Sequence, residues 1–317
     1  LAEWLYEDGI GEARAALVAD GAIVEALIEP EGEALRPGDV APARLVEQMP
    51  GRQGRVTLVD GRGDAWLAHI PPGVTLGATL MVAITRGVIP ERGRAKLAKA
   101  VATDARPGPA PDLLARITAT GIPVRHLRPH EADALEAAGW SELLDEADSG
   151  EILFPTGALR MALTPAMTLF DVDGAPPLDR LALDAARQVA LAIRRHGIGG
   201  SIGVDFPNLT NKAARQAVAA AIDAHLPLPF ERTQVNGFGF LQIVRPRMRM
   251  AIPELIRTDP VGAAARAAMR VLERTPPGGP AAHRLPPAVV ARIESHPDWI
   301  ARLSARMGAI PILEPDR

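Results

Sequence analysis

Apolar positions in the first hundred residues come in short runs separated by Gly, Pro and Asp, and the runs lengthen after residue 110. Arg14 to Glu29 (RAALVADGAIVEALIE) reads as two strands around a turn at Asp20-Gly21. Pro37-Gly38 marks a second turn. Five strand-like runs follow: APARLVEQM, GRVTLVD, DAWLAHI, TLMVAITRG and GRAKLAKAV. Turns at Met49-Pro50-Gly51, Asp60-Gly61-Arg62-Gly63 and Pro71-Pro72-Gly73 separate them. Five short, closely spaced strands predict a small β-barrel of the oligonucleotide-binding (OB) kind, with another small β-domain as the alternative.

Residues 103–111 (TDARPGPAP) read as a linker. DLLARITATG then predicts a helix stopped by Gly121, IPVRHL a strand, and EADALEAAGWSELLDEAD helix. EILFP and ALRMALTPAMTLFDVDG are β-rich. Leu178 to His196 has the apolar spacing of an amphipathic helix, with Gly197 as its stop. IGGSIGVDFPNL predicts a strand, Lys212 to Ala224 a helix, and FGFLQIVR a strand that runs into alternating arginines. Beyond 258 come one helix (GAAARAAMRVLER), a Pro/Gly break, a second helix (PPAVVARIESHPDWIARLSARMG) and a last strand, IPIL. The fold class expected is an α/β domain preceded by a small β-barrel. The divisions are 1–35 (strands packing with the core), 36–100 (barrel), 101–160 (linker and a reduced mixed region), 161–257 (α/β core) and 258–317 (helical extension).

Of the 317 residues, 47% are hydrophobic and 23% charged, a globular composition. Cysteine is absent, which excludes disulfides, thiolate zinc sites, iron–sulfur clusters and a cysteine nucleophile, and fits a reducing cytoplasm. No run is long and apolar enough to predict a membrane span, and the opening LAEWLYEDGIGEAR carries acids where a signal peptide has bases. The net charge of −3 argues against a generic polyanion binder. Its distribution is uneven, however. Residues 1–50 carry three basic and eleven acidic groups, whereas residues 51–100 carry eight against three. A local nucleic-acid channel is compatible with that segregation.

Two aspartates carry the candidate chemistry. TLFDVD places Asp171 near the end of one apolar strand, and SIGVDF places Asp205 at the end of another, with a helix between. Adjacent strands of an α/β sheet would set the two side by side. Neighbouring carboxylates repel, and a divalent cation resolves the repulsion. Oxygen ligands without His or Cys suit magnesium or manganese. The alternative is that each aspartate caps a local turn. Lys212, at a helix start, either faces a phosphate or is an ordinary solvated residue.

Residues 160–250 resemble the catalytic core of the ribonuclease E/G family. The family's E-P-T-E-A-L-x-x-I-D-V-N-S-G corresponds to ALTPAMTLFDVDG at 162–174, and its L-G-G-x-I-V-I-D-F-I-D-M to IGGSIGVDFPNL at 198–209. Its S-x-F-G-L-x-E-x-x-R-x-R-x-R corresponds to NGFGFLQIVRPRMR at 236–249. Order, spacing and intervening helices agree. Gly11 to Glu29 also resembles the family's opening E-x-R-V-A-L-V-x-x-G-x-L, and 36–100 occupies the place of its S1 RNA-binding barrel. The resemblance implies that Asp171 and Asp205 are catalytic and hold magnesium (or manganese). Asp173 falls on a supporting asparagine and Asn208 on a supporting aspartate, an exchange of the two residue types. Leu58 and Trp66 fall near family phenylalanines that grip RNA; Trp66 can stack on a base or be a core aromatic, and Leu58 cannot stack.

Basic residues supply phosphate contacts in this reading: Arg92, Arg94, Lys96 and Lys99 on the barrel, or else a solvated charged strand, and Arg245, Arg247 and Arg249 near the catalytic channel. The implied activity is that of a cytoplasmic endoribonuclease cutting single-stranded RNA to leave 5′-phosphate ends. The alternatives are a non-catalytic RNA-binding protein on the same fold and a structural or ribosome-assembly factor with no metal site. The family's V-R-T-A sensor stretch has no counterpart here, and its C-P-x-C zinc link is absent with all cysteine. A homodimer would therefore have to form without that link.

Overall fold

In the computed structural model, which describes residues 2–32, 35–89, 95–209, 211–276, 279–280, 282–308 and 310–316, the chain opens with an antiparallel meander. Its strands are β1 (Glu3–Asp8), β2 (Glu12–Ala19) and β3 (Ala22–Pro30). Asp20 (φ 53°) and Gly21 (φ 81°) make the predicted β2–β3 turn, and both take the left-handed conformation that a two-residue hairpin loop requires. β1 has no counterpart among the predicted strands. Trp4, Leu5 and Tyr6 in it are all buried, on alternating faces, so the meander is covered on both sides.

β4 (Val40–Met49), β5 (Gln53–Leu58), β6 (Asp64–Leu67), β7 (Thr79–Arg86) and β8 (Ala98–Ala102) close into the expected barrel, in the order β4-β5-β6-β8-β7. Leu45, Val56, Leu58, Leu67, Val82 and Ile84 fill it, and Ala43, Ala65, Ala98 and Ala100 keep it narrow. The stretch expected as a linker is tied back to the barrel. Val40 and Gly108 exchange backbone hydrogen bonds of 2.9 Å, and the Ala110 amide donates to Asp39 at 2.7 Å.

α1 (Leu113–Thr118) is capped by Asp112 and leads to β9 (Val124–His126), which joins the meander parallel to β1. α2 (Ala134–Ala137) and α3 (Trp140–Ser149) divide at Gly139, whose φ of 97° no helix accommodates. The main sheet follows: β10 (Glu151–Phe154), β11 (Gly157–Leu163), β12 (Thr168–Gly174), α4 (Leu178–Arg195), β13 (Gly200–Asp205), α5 (Lys212–His225), β14 (Glu231–Arg232) and β15 (Phe240–Arg245). The sheet order is β10-β11-β12-β13-β15-β14, with only β12 and β13 parallel. The division expected at residue 160 therefore runs through β11. Phe170, Ile202, Val204, Leu241 and Ile243 on one face bury against α4 and α5. Ala182, Ala185, Ala186 and Ala190 let α4 lie close to the strands.

The chain continues through α6 (Ile252–Thr258), α7 (Pro260–Glu273), β16 (Ala282–Leu285), α8 (Pro287–Glu294), α9 (Pro297–Met307) and β17 (Ile312–Pro315), which pairs with β16. The second helix predicted here is two, because Pro297 starts α9 with no amide to continue α8. α7 returns to the first sheet through buried ion pairs. Arg14, fully buried, reaches Glu7 (2.6 Å) and Glu12 (3.0 Å). Arg266 meets Glu12 (2.8 Å), and Arg270 bridges Glu7 (3.2 Å) to Asp133 (2.6 Å). Among the described residues no helix is long and apolar enough to cross a membrane.

Candidate active site on the open face of the main sheet

Alternation along the strands decides what the open face carries. Phe170 and Val204 point into the core, so Asp171 and Asp205, one residue later, point the other way, and both are exposed. In the parallel pair β12–β13 the two aspartates are register partners. Adjacent strands lie about 4.8 Å apart, so the carboxylates emerge side by side. Asp173 shares their face two residues on. Arg160, the β11 partner of Asp171, donates to Asp173 at 3.1 Å. Among the described residues no three or more His, Cys, Asp or Glu are grouped to hold a metal ion. The pair still fits magnesium, which commonly takes one or two carboxylates and completes its octahedron with water and phosphate.

The ground beside the pair is apolar. A Cβ on Gly203 would lie 2.6 Å from the Phe240 ring, 2.7 Å from Leu169 and 3.1 Å from the Met167 sulfur. These three side chains thus close over Gly203, next to the aspartates. Phe240 is the register partner of Asp205. The turn before it is fastened down: the Asn236 side chain accepts from the amides of Phe238 (2.9 Å) and Phe240 (3.0 Å), and the Phe206 amide donates to the Gly239 carbonyl (3.1 Å). This turn requires glycine at Gly239, where φ is 91° and a Cβ would collide with the Phe206 carbonyl. Phe238, 89% exposed, is held out from this turn. The hydrophobic pattern of the sequence does not single it out; Asn-Gly-Phe-Gly is the available signal. Asn208 is exposed in the loop after β13, and Lys212 is exposed at the start of α5, behind the Asn211 cap.

The barrel presents a separate basic face. Trp66 alternates with buried Ala65 and Leu67, so its ring is outside the barrel core. Its register partners are Arg55 and Lys99. With Met49, Arg86 and Lys96 they line a cleft of about 710 Å³. Arg55 and Arg86 are additions that strand alternation could have supplied. Leu58 is barrel core. Arg92 and Arg94 lie outside the described residues.

Arg245, Arg247 and Arg249 do not join the aspartates. β13 and β15 are antiparallel, with Asp205 opposite Phe240 and Gly200 opposite Arg245. Five residues at about 3.3 Å each put Arg245 some 17 Å away along the strand. It also shares the parity of Leu241 and Ile243, and so leaves the sheet on the helix-covered face. The run is largely ion-paired, Arg247 to Glu254 (2.5 Å) and Arg249 to Glu29 (3.3 Å). Burial would raise the Glu29 pKa, but the hydrogen bond and charge of Arg116, with Arg36 and Arg249, hold it below the usual carboxylate range.

No protein-family model matches the chain, and no curated protein matches it.

Proposed function

We propose that the protein is a magnesium-dependent endoribonuclease acting on single-stranded RNA, with Asp171 and Asp205 as its catalytic pair. The observation that carries this reading is the in-register placement of the two aspartates on neighbouring parallel strands, facing solvent. When bound there, the metal supplies a lowered pKa for water and neutralises charge on the reacting phosphate. The chain's own groups do the rest. Asp171 and Asp205 provide paired negative charge at one point, and the Met167, Leu169 and Phe240 side chains exclude water beside it. The barrel is read as an OB-type, S1-like module whose Trp66 stacks a base between Arg55 and Lys99. The reading implies attack by water and 5′-phosphate products, and its setting is the cytoplasm.

The resemblance to the ribonuclease E/G family supports the reading through the same residues. A non-catalytic RNA-binding role is the second reading, favoured by the engagement of Asp173 with Arg160 and by the two-carboxylate limit of the site among the described residues. One experiment separates them. Purified protein should cut an unstructured RNA in magnesium and stop on chelation, and Asp205→Asn should lower the rate by at least about 10²-fold. Near-wild-type cutting by that variant refutes the catalytic assignment, and RNA binding without any cutting selects the second reading.

A further inference from the structure

We propose that the cleft between β3, the C-terminal end of α4 and the chain after β15 is a second binding site, for a phosphomonoester of nucleotide size. Its volume is about 430 Å³, within the range of small-ligand sites. Five arginines line it, and four are answered by carboxylates. Arg194 meets Glu25 (3.2 Å), Arg116 and Arg249 both meet Glu29 (2.5 and 3.3 Å), and Arg247 meets Glu254 (2.5 Å). Arg245 is the exception. Among the described residues it makes no ion pair, and its Nη1 donates only to the Ile198 carbonyl at 3.3 Å. The Nε groups of Arg245 and Arg247 are both buried without a hydrogen-bond partner. Burial pushes the Arg245 guanidinium below its usual range, with Arg194 adding to the effect against the attraction of Glu25.

A half-buried guanidinium with no carboxylate partner among the described residues, lining a cleft with four other arginines, is suited to an oxyanion. A doubly charged phosphomonoester offers three acceptor oxygens to two forked donors, which a carboxylate cannot match. Arg247 is also held in place. A Cβ on Gly199 would lie 2.5 Å from the Pro246 carbonyl and 3.0 Å from the Arg247 Cα, so the two glycines of 199–200 let this backbone approach the strand. Leu228 (78% exposed) and Met248 (54% exposed) line the same cleft as apolar surface for the rest of the ligand. The site is at the other end and on the other face of the sheet from Asp171 and Asp205, so it does not depend on the ribonuclease reading.

Calorimetry on the full chain in chelator tests it, with AMP, adenosine and inorganic phosphate as titrants. AMP is expected to bind once per chain, and adenosine at least about tenfold more weakly, because the charge-assisted bonds go to phosphate. Arg245→Met should weaken AMP by at least about tenfold, and Leu228→Ser should weaken AMP while leaving inorganic phosphate unchanged. Arg245→Lys, which keeps the charge, should retain part of the affinity and serves if the Met variant does not fold. Asp205→Asn should leave AMP binding unchanged. Absence of saturation by AMP up to about 5 mM overturns the proposal. So does equal affinity for adenosine, or unchanged AMP binding in folded Arg245→Met. Binding of phosphate with no gain from the nucleoside body restricts the site to a bare anion and refutes its nucleotide-sized half.

Discussion

Asp171→Asn should make the protein more stable and less active at once. Two negative charges about 5 Å apart repel by roughly 0.8 kcal/mol in bulk water and about 3 kcal/mol at an effective dielectric of 20. Both aspartates are exposed, so the lower value is the relevant one, in keeping with the roughly 0.2–1 kcal/mol typical of charge pairs opposed across strands. Arg160, the cross-strand partner of Asp171, offsets part of this repulsion even though its hydrogen bond goes to Asp173, which places the gain toward the lower end of that range. In chelator, then, the variant should unfold about 1–3 °C above the wild type. Magnesium reverses the order. Binding at ten times its dissociation constant adds about 1.4 kcal/mol to a protein that holds it, and the variant loses most of that gain. Thermal unfolding of both proteins, in chelator and in magnesium, reads the crossing directly, and RNA cleavage by the same samples reads activity. A variant less stable than the wild type in chelator, or one stabilised equally by magnesium, refutes the paired-carboxylate account.

Trp66→Ala should weaken binding of a short unstructured RNA by about 1–3 kcal/mol, measured by fluorescence anisotropy with calcium in place of magnesium. Replacing Lys96 and Lys99 by Gln should flatten the salt dependence in the same assay by about 0.7 for each phosphate no longer neutralised. His196 is fully buried, and burial holds its pKa below the usual value against the opposing effect of its hydrogen bond to the Glu146 carboxylate. The unfolded chain takes up that proton near about pH 6.5 and the folded one does not. The His196 contribution is therefore complete above about pH 6.5 and is lost as pH falls below it; His196→Gln should flatten the urea stability profile between about pH 7.5 and 5.5.

The placement of Asp171 and Asp205 is legible in the sequence because each follows a short apolar run and a helix separates the two, a pattern that makes parallel neighbours, although β12 runs on to Gly174 and leaves Asp171 at its middle. The barrel is legible from its turns. β1 is not, since its apolar triplet is wrapped in acids, and the partners of Glu7 among them, Arg270 and Arg274, come from more than 250 residues later. The arginines after β15 mislead through proximity in sequence. Five residues of strand carry the chain about 17 Å along the sheet, and strand parity then chooses the face. Phe238 escapes notice because exposure on a turn leaves no hydrophobic pattern. The Pro297 break is visible in the sequence, but continuous apolar spacing on both sides outweighs it.

The ion pairs that join α7 to the first sheet have a consequence for synthesis on the ribosome. Glu7, Glu12 and Arg14 emerge from the exit tunnel some 250 residues ahead of Arg266 and Arg270. Until then the nascent meander carries two acidic side chains against one base in what becomes its interior, and its outer acids must stay hydrated. The opening strands can pair early, but their charged interior closes only after α7 is free. Nascent chains arrested before residue 260 should remain open to protease at β1 and β2, and those arrested late enough to free α7 should not.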